Sequence, residues 1–312
     1  MHAICTLTMN PALDVSTSVD QIAPTHKMRC AAARQDPGGG GINAARVIAR
    51  LGYDVVAIYP VGGATGERLR QLVNGDNIRS ATIELSEETR QNFTILEKKS
   101  GAEYRFVLPG PRLSNAELRH CLEMLRSVSA QPGFIIMSGS LPTGAPDGLY
   151  AQAARISKER GARAVLDTSG PPLRAALQAG VYLAKPNLRE LRELTSAPLP
   201  DLEAQISACR ELIENGQAEI VTLTLGDQGA LLAMRGRTLR ARPIPIQPVS
   251  SVGAGDSFVG AMVWALANEL SLEDAFRYAM AAGSAALLTP GTELCKKEDI
   301  ERLYREVHLS PA

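Results

Sequence analysis

Residues 249–261 read VSSVGAGDSFVGA, the stretch that says most about the fold of this chain. Gly253 and Gly255 stand just before Asp256, and an apolar run typical of a helix follows. A helix begins with free backbone N–H groups, and glycines leave them unhindered, so such a turn can bind an anion. Asp256 therefore has two interpretations: an acid that stabilises the first helical turn, or a carboxylate aimed at a bound anion.

A second glycine cluster, DPGGGGINAARVIARLG at 36–52, precedes an amphipathic helix and includes Asn43. Either cluster alone is explained by a tight turn that needs positive φ angles. Two clusters in one chain, one of them followed by an acid, indicate a site for two anionic substrates. A carboxylate beside an anion site can take the proton of a hydroxyl group while the site neutralises a transferred phosphoryl group.

Short apolar runs alternate with helical stretches along most of the chain. The predicted strands are 3–8, 55–60, 134–139, 163–167, 181–185 and 219–226, and the predicted helices include 41–52, 115–128, 145–161 and 201–216. This alternation predicts βαβ units and a mostly parallel sheet that is covered on both faces. Residues 11–36 and 80–108 lack helical periodicity and form either an edge extension of the sheet or a small β lid, with a hairpin at 99–101.

Composition argues against several classes of protein. Lysine plus arginine and aspartate plus glutamate both number 33, so the net charge is zero and no basic block suits nucleic acid or a membrane surface. Five scattered cysteines and four separated histidines predict neither a disulfide framework nor a zinc site. The sequence shows no secretory signal and no apolar run near the roughly 20 residues that span a bilayer, so we expect a cytoplasmic protein. P-loop, protein kinase and Rossmann motifs are missing from the sequence.

Two further segments suit a nucleotide site. KPNLREL at 185–191 places Asn187 and Glu190 at the start of a helix, where they form a capping box or hold water around Mg²⁺. TLTLGDQGA at 222–230 is either a hairpin turn or a glycine-rich loop that contacts a nucleotide.

GGGGINAAR, KPNLREL, TLGDQGA and VGAGDSFVGA occur in this order and together resemble the ribokinase-like carbohydrate kinases of the phosphofructokinase B family, over essentially the whole chain. The resemblance implies a three-layer α/β/α domain with a mostly parallel central sheet (1–10, 37–79 and 109–312) and a small β lid (11–36 and 80–108). Exposed edges of the lid strands invite pairing with a second subunit, so we expect a homodimer through the lids, which could assemble into a tetramer. Further segments, such as SGSLPTG at 138–144, resemble the family members that phosphorylate fructose 6-phosphate at its C1 hydroxyl in glycolysis.

The resemblance implies roles for a set of residues. Asp256 would be the general base, and the anion hole for the γ-phosphate would comprise Gly253, Ala254 and Gly255. Fructose 6-phosphate would contact Asp14, Lys27, Gly39, Gly40, Asn43, Arg90, Arg105 and Ser140. ATP would contact Lys185, Asn187, Thr224, Leu225, Gly226, Asp227, Gly229, Pro248, Met280 and Ser284, with Mg²⁺ held through water by Asn187 and Glu190. A K⁺ site would comprise Ser250, Val252, Ala286, Thr289, Gly291 and Glu293.

Several features leave alternatives open. The 1-phosphofructokinases usually have lysine where this chain has Gly40, which favours fructose 6-phosphate over fructose 1-phosphate, while tagatose 6-phosphate is a further alternative. A non-catalytic sensor on the same fold could dispense with Asp256, which this chain keeps. Thr25 and His26 replace the acid and glycine usual before the lysine at position 27. Residues 289 and 293 also depart from the pattern, which leaves potassium dependence less firmly implied than catalysis.

Overall fold

The computed structural model describes residues 3–128 and 131–312. Its strands, in chain order, are β1 (Ala3–Leu7), β2 (Ala12–Val19), β3 (Arg34–Gly38), β4 (Val55–Val61), β5 (Arg79–Glu84), β6 (Arg90–Glu97), β7 (Glu103–Val107), β8 (Pro132–Ser138), β9 (Arg163–Asp167), β10 (Val181–Ala184), β11 (Ala218–Thr224), β12 (Ala230–Met234), β13 (Arg237–Ala241) and β14 (Leu309–Pro311). Its helices are α1 (Gly40–Arg50), α2 (Gly63–Gly75), α3 (Asn115–Ser127), α4 (Leu149–Glu159), α5 (Gly170–Gln178), α6 (Leu188–Thr195), α7 (Leu202–Glu214), α8 (Ala254–Ala267), α9 (Leu272–Ala286) and α10 (Lys297–Tyr304).

Ten strands form the main sheet, in the order β14-β13-β12-β11-β10-β9-β8-β1-β4-β5. From β11 to β5 all neighbours are parallel, whereas β12, β13 and β14 add an antiparallel edge. The predicted mostly parallel sheet is therefore confirmed. Parallel strands end at one edge of the sheet, so the loops after β1, β8, β9 and β10 meet there.

Helices cover both faces of this sheet. Successive strand residues point to opposite faces, so Ile4 packs with α1, α8 and α9 while Cys5 packs with α3, α4 and α7. The two apolar cores on the two faces make three layers, as predicted. None of the helices in the described part of the chain is long and apolar enough to cross a membrane.

A separate four-stranded sheet, the small sheet, has the order β3-β2-β6-β7. Its β6–β7 hairpin is confirmed, with Gly101 at a φ of +74°. The boundaries drawn from sequence are wrong in two places. Residues 80–84 were assigned to the lid, but β5 pairs in parallel with β4 in the main sheet, because it is the strand that returns after helix α2. Residues 37 and 38 were assigned to the main domain, but they end β3 and pair with β2.

Helices α1 and α8 pack unusually closely. A Cβ atom on Gly260, one turn after Asp256, would lie 2.9 Å from the carbonyl oxygen of Ala44 and 3.0 Å from Val47 Cβ. Real side chains do not fit at such distances, so Gly260 sets the separation of the two helices. Both helices start at the same edge of the main sheet, each within one of the glycine clusters.

Candidate active site

The turn before α8 has the geometry of an anion site. Gly253, the residue before the helix, has a φ of +75°, and a Cβ there would lie 2.4 Å from Leu294 Cδ2, so only glycine fits. Within the described residues, no side chain caps α8. The first N–H groups of the helix, beginning at Ala254 and Gly255, are therefore available to a ligand.

Asp256 lies in the first turn of α8 and faces α1. Its Oδ2 accepts a hydrogen bond from Asn43 Nδ2 at 2.8 Å. A Cβ on Gly40 would lie 3.0 Å from Asp256 Oδ1 and 2.2 Å from Ser138 Oγ. Ser138 and Asp256 already occupy the space that a side chain at position 40 would need, so glycine lets the start of α1 approach the carboxylate closely. The two glycine clusters thus meet at Asp256, and Gly39 directly precedes α1 at this point.

The surroundings of Asp256 make it a stronger base than an ordinary aspartate. Its pKa is raised to about 6, chiefly by burial and then by repulsion from Asp167 and Asp14, while Asn43 and Lys185 lower it. Such a group is mostly ionised at neutral pH and accepts a proton more readily than an exposed carboxylate.

A buried ion pair lies beside this turn. Lys185, directly after β10, places Nζ 3.0 Å from Oδ1 of Asp167, the last residue of β9. Burial lowers the pKa of Lys185, but attraction to Asp167 outweighs it, so the pKa is raised and the lysine stays charged. A Cβ on Gly255 would lie 3.4 Å from the same Nζ, which puts this charge against the glycine turn. Sequence reasoning did not assign Asp167, although a polar residue that ends a buried parallel strand was a usable signal.

Asn187 and Glu190 form the capping box of α6. Asn187 Oδ1 accepts from the Glu190 N–H, and Glu190 Oε2 accepts from the Asn187 N–H, both at 2.9 Å. The cap uses one oxygen of the Glu190 carboxylate, and burial raises the pKa of this group. The capping interpretation is thus confirmed, and it leaves the second carboxylate oxygen for water around a metal ion.

The TLTLGDQGA segment lies next to this cap. Thr224 donates its N–H to the carbonyl of Pro186 at 3.1 Å. Leu225 and the 3₁₀ turn Gly226–Gln228, which includes Asp227, then join the antiparallel strands β11 and β12 through Gly229. The hairpin interpretation is correct, and the same loop borders Asn187, where a nucleotide was predicted.

The three other residues predicted to bind ATP differ in exposure. Ser284 is half-buried on α9, where a Cβ on the neighbouring Gly283 would lie 3.4 Å from the Ala254 carbonyl oxygen. Met280, one turn earlier, is only 7% exposed and packs in the core, so little of it can reach a ligand. Pro248 is exposed in the loop before the glycine turn.

Asp14 projects from the small sheet into the same region. Its Oδ1 accepts from Asn92 Nδ2 at 2.8 Å, and a Cβ on Gly38 would lie 2.3 Å from its Oδ2. Burial raises the pKa of Asp14, whereas Asn92, Arg90 and Arg105 lower it. Arg105 is exposed on β7, on the face of the small sheet that carries Asp14.

Arg90 and Ser140 form hydrogen bonds to the segments that surround the predicted sugar site. Arg90 donates to the backbone carbonyls of Asn10 at 2.8 Å and Leu108 at 3.0 Å. Asn10 Nδ2 in turn donates to Ser140 Oγ at 3.2 Å. Lys27 lies in the exposed loop between β2 and β3, and no ion pair with another described residue ties it to this cluster. Among the predicted sugar ligands in the described part of the chain, Lys27 is the one that does not lie near the others.

The residues of the predicted K⁺ site lie on segments that touch one another. The Val249 N–H donates to the Leu287 carbonyl at 2.7 Å, and the Thr289 hydroxyl lies 3.0 Å from the carbonyls of both Ala286 and Leu294, which share its one hydrogen. The Glu293 carbonyl accepts from Arg50 Nη1 at 2.5 Å. A guanidinium at that carbonyl disfavours a cation there, so the remaining carbonyls suit K⁺ better.

Metal ligands are sparse. In residues 3–128 and 131–312, no group of three or more histidine, cysteine, aspartate or glutamate side chains could hold a metal ion. A Mg²⁺ ion at the Asn187–Glu190 pair would therefore take most of its ligands from water and from the phosphates of a nucleotide.

An acid, a glycine turn and a buried lysine at the carboxyl ends of parallel strands in an α/β/α fold define a kinase of the ribokinase-like class. The chain belongs to the pfkB family of carbohydrate kinases, whose model matches residues 7–299.

Three similar proteins carry more specific names. The chain is 46% identical over 301 residues to the ATP-dependent 6-phosphofructokinase isozyme 2 of Mycobacterium tuberculosis, with 96% of this chain and 88% of that protein covered. The structure of phosphofructokinase-2 from Escherichia coli in complex with potassium is 42% identical and has a TM-score of 0.94, with 98% and 99% covered. The structure of the Escherichia coli enzyme in complex with fructose 6-phosphate is 41% identical and has a TM-score of 0.92, with the same shares covered.

Proposed function

We propose that this chain transfers the γ-phosphoryl group of ATP to the C1 hydroxyl of fructose 6-phosphate, as a glycolytic enzyme of the cytoplasm. The observation that carries the proposal is the placement of the Asp256 carboxylate, hydrogen-bonded by Asn43, directly beside the open N–H groups of the glycine turn. The similarity to named 6-phosphofructokinases and to a fructose 6-phosphate complex supports the choice of substrates.

The residues divide the chemistry between them. The C1 oxygen forms a bond to the γ-phosphorus, the bond from that phosphorus to the ADP oxygen breaks, and the hydroxyl proton passes to Asp256. The amides of the turn and the charge of Lys185 stabilise the negative charge on the transferred group. Asn187 and Glu190 would hold Mg²⁺ through water, where the ion would neutralise charge on the phosphates of ATP.

The small sheet acts as the lid in this proposal. Asp14 and Arg105 share its inner face, which carries the polar residues expected around a phosphorylated sugar. A sheet that covers the sugar excludes water, which would otherwise compete for the phosphoryl group. We also propose that K⁺ binds the carbonyls around Thr289 and supports the turn, in keeping with the potassium complex of the similar structure.

A panel of phosphoryl acceptors tests the proposed substrate. We expect the highest kcat/KM with fructose 6-phosphate, followed by tagatose 6-phosphate and fructose 1-phosphate, measured by ADP release in a coupled assay. A higher kcat/KM for either alternative would reassign the substrate. ATP binding without ADP release on addition of any sugar phosphate would indicate a sensor instead.

The outer face of the small sheet predicts a homodimer. Phe93, Tyr104 and Phe106 are 37%, 39% and 51% exposed and lie side by side on this face. Adjacent exposed aromatics on a sheet are typical of an interface. We expect Phe106→Glu to convert a dimer into a monomer in analytical ultracentrifugation, whereas Leu270→Glu, an equally apolar exposed position on the main domain, leaves the dimer intact. An unchanged dimer in the Phe106 variant would place the interface elsewhere.

A further inference from the structure

Two charged side chains connect the small sheet to the main domain, one from each edge strand. On β3, Arg34 places Nη1 2.9 Å from Glu293 Oε2 and donates through Nη2 to the Pro290 carbonyl at 2.9 Å. On β7, Glu103 Oε2 accepts a hydrogen bond from Ser250 Oγ at 3.0 Å. Because β3 and β7 are the opposite edges of the small sheet, these bridges hold it across its whole width.

Both side chains point to the inner face of the small sheet. Arg34 pairs with Ser16, two residues from Asp14 on β2. Glu103 pairs with Leu96 of β6, and Leu96 pairs with Ser18 of β2, the strand that carries Asp14. Since alternate residues of a strand share one face, both bridges lie on the face that carries Asp14.

Each bridge ends on a segment that supports the glycine turn. The Ser250 hydroxyl that donates to Glu103 also accepts from the Val252 N–H at 3.3 Å, directly before Gly253. Glu293 is followed by Leu294, whose side chain occupies the space where a Cβ of Gly253 would stand. The small sheet is therefore connected to both segments that shape the turn.

Arg34 also contacts a residue that lies next to Asp14, a predicted sugar ligand. Its Nε donates to Asp36 Oδ2 at 2.8 Å, and Asp36 lies opposite Asp14 in the β2–β3 pair. The guanidinium thus neutralises an inner carboxylate next to Asp14 while its other nitrogens hold the main domain. The Arg34 side chain therefore contacts both the small sheet and the main domain.

We propose that Arg34 and Glu103 form a latch that couples the closed position of the small sheet to the order of the Gly253 turn. They are positioning residues, because neither touches the carboxylate of Asp256. The inference rests on the proposed function in one respect, the role of the small sheet as a lid. If the latch favours the closed state before the sugar arrives, its loss lowers the population of binding-competent enzyme and hence the apparent affinity.

Kinetics of Arg34→Ala and Glu103→Ala provide the first test. We expect each variant to raise KM for fructose 6-phosphate by about 3- to 10-fold while kcat stays within about two-fold, because the saturating substrate closes the sheet itself. Glu103→Gln keeps an acceptor oxygen for Ser250 and should restore most of the affinity. Lys98→Ala is the matched control, because it removes the Lys98–Asp20 ion pair (3.4 Å) without reaching the main domain, and it should behave as wild type.

Hydrogen exchange of the unliganded protein provides the second test, independent of activity. We expect amides of 34–38, 103–107 and 252–256 to exchange faster in both alanine variants than in wild type and Lys98→Ala. Faster exchange in the small sheet with an unchanged turn would overturn the coupling, as would unchanged exchange and unchanged KM. If the wild type fails to phosphorylate fructose 6-phosphate, the proposed function fails, and the exchange data still decide the latch.

Discussion

Replacing Asp256 by asparagine lowers kcat by roughly 10²–10⁴-fold, because the amide cannot accept the hydroxyl proton. The substitution keeps the size of the side chain and an oxygen that can accept from Asn43 Nδ2, so the geometry of the turn is preserved. Steady-state kinetics with saturating ATP and fructose 6-phosphate measure the loss. Turnover within a few-fold of wild type would contradict the assignment of Asp256 as the general base.

Stability distinguishes this role from that of an acid that only stabilises the first turn of the helix. The pKa of Asp256 is raised from 3.8 to about 6 in the folded protein, so stability falls as the pH rises from 3.8 to about 6, and above that range the ionised carboxylate disfavours folding fully. We therefore expect Asp256→Asn to be as stable as wild type or more stable in urea denaturation at pH 8. A role limited to placing a negative charge in the first turn of α8 predicts a loss of about 0.3–1 kcal/mol instead. Asp201→Asn, at the N-cap of α7, is the matched control: it keeps the cap but removes the N-terminal charge of another helix, so it should leave activity unchanged and lower stability by about 1 kcal/mol at most.

Replacing Lys185 by methionine has the second large effect. The Lys185 side chain is 6% exposed and that of Asp167 is 14% exposed, so the variant leaves an unpaired carboxylate in a mostly buried position. We expect the free energy of unfolding to fall by about 3–5 kcal/mol at pH 8, measured by urea denaturation. Because Lys185 lowers the pKa of Asp256, the acidic limb of kcat/KM should also shift from near pH 6 to higher pH.

A second substitution separates these two effects. Asp167→Asn in the Lys185→Met background removes the unpaired charge and should recover much of the lost stability. It also removes a neighbour that raises the pKa of Asp256, so the acidic limb should move back toward lower pH. A double variant no more stable than Lys185→Met would mean that packing, and not charge, holds Lys185 in place.

The sequence was sufficient where local physics decides the structure. Strand β8 is a continuous apolar run and the amphipathic helix α4 follows it, and this alternation made a parallel sheet covered on both faces predictable. The glycine clusters were also predictable as helix starts, because Gly253 has a left-handed φ that favours glycine.

The errors concern relations between distant segments. Strand β5 was assigned to the lid because its sequence shows no sign of pairing with β4, and only the crossover through α2 places it there. Asp167 was missed because its importance comes from Lys185, which lies on the next strand of the sheet. The hydrogen bond from Asn43 to Asp256, more than 200 residues away, was not foreseen either, because only the packing of two helices creates it; the sugar contact of Asn43 stays a prediction.

The close packing of α1 against α8 makes catalysis sensitive to residues that never meet a ligand. Gly260 fixes how near the segment that carries Asn43 can come to the one that carries Asp256. A methyl group added at position 260 would push the two helices apart and so separate Asp256 from the Asn43 amide that orients it, although position 260 is one helical turn away from Asp256. Substitutions that fill small gaps to rigidify this enzyme should therefore avoid the contact between α1 and α8, because added volume there would misalign Asn43 and Asp256.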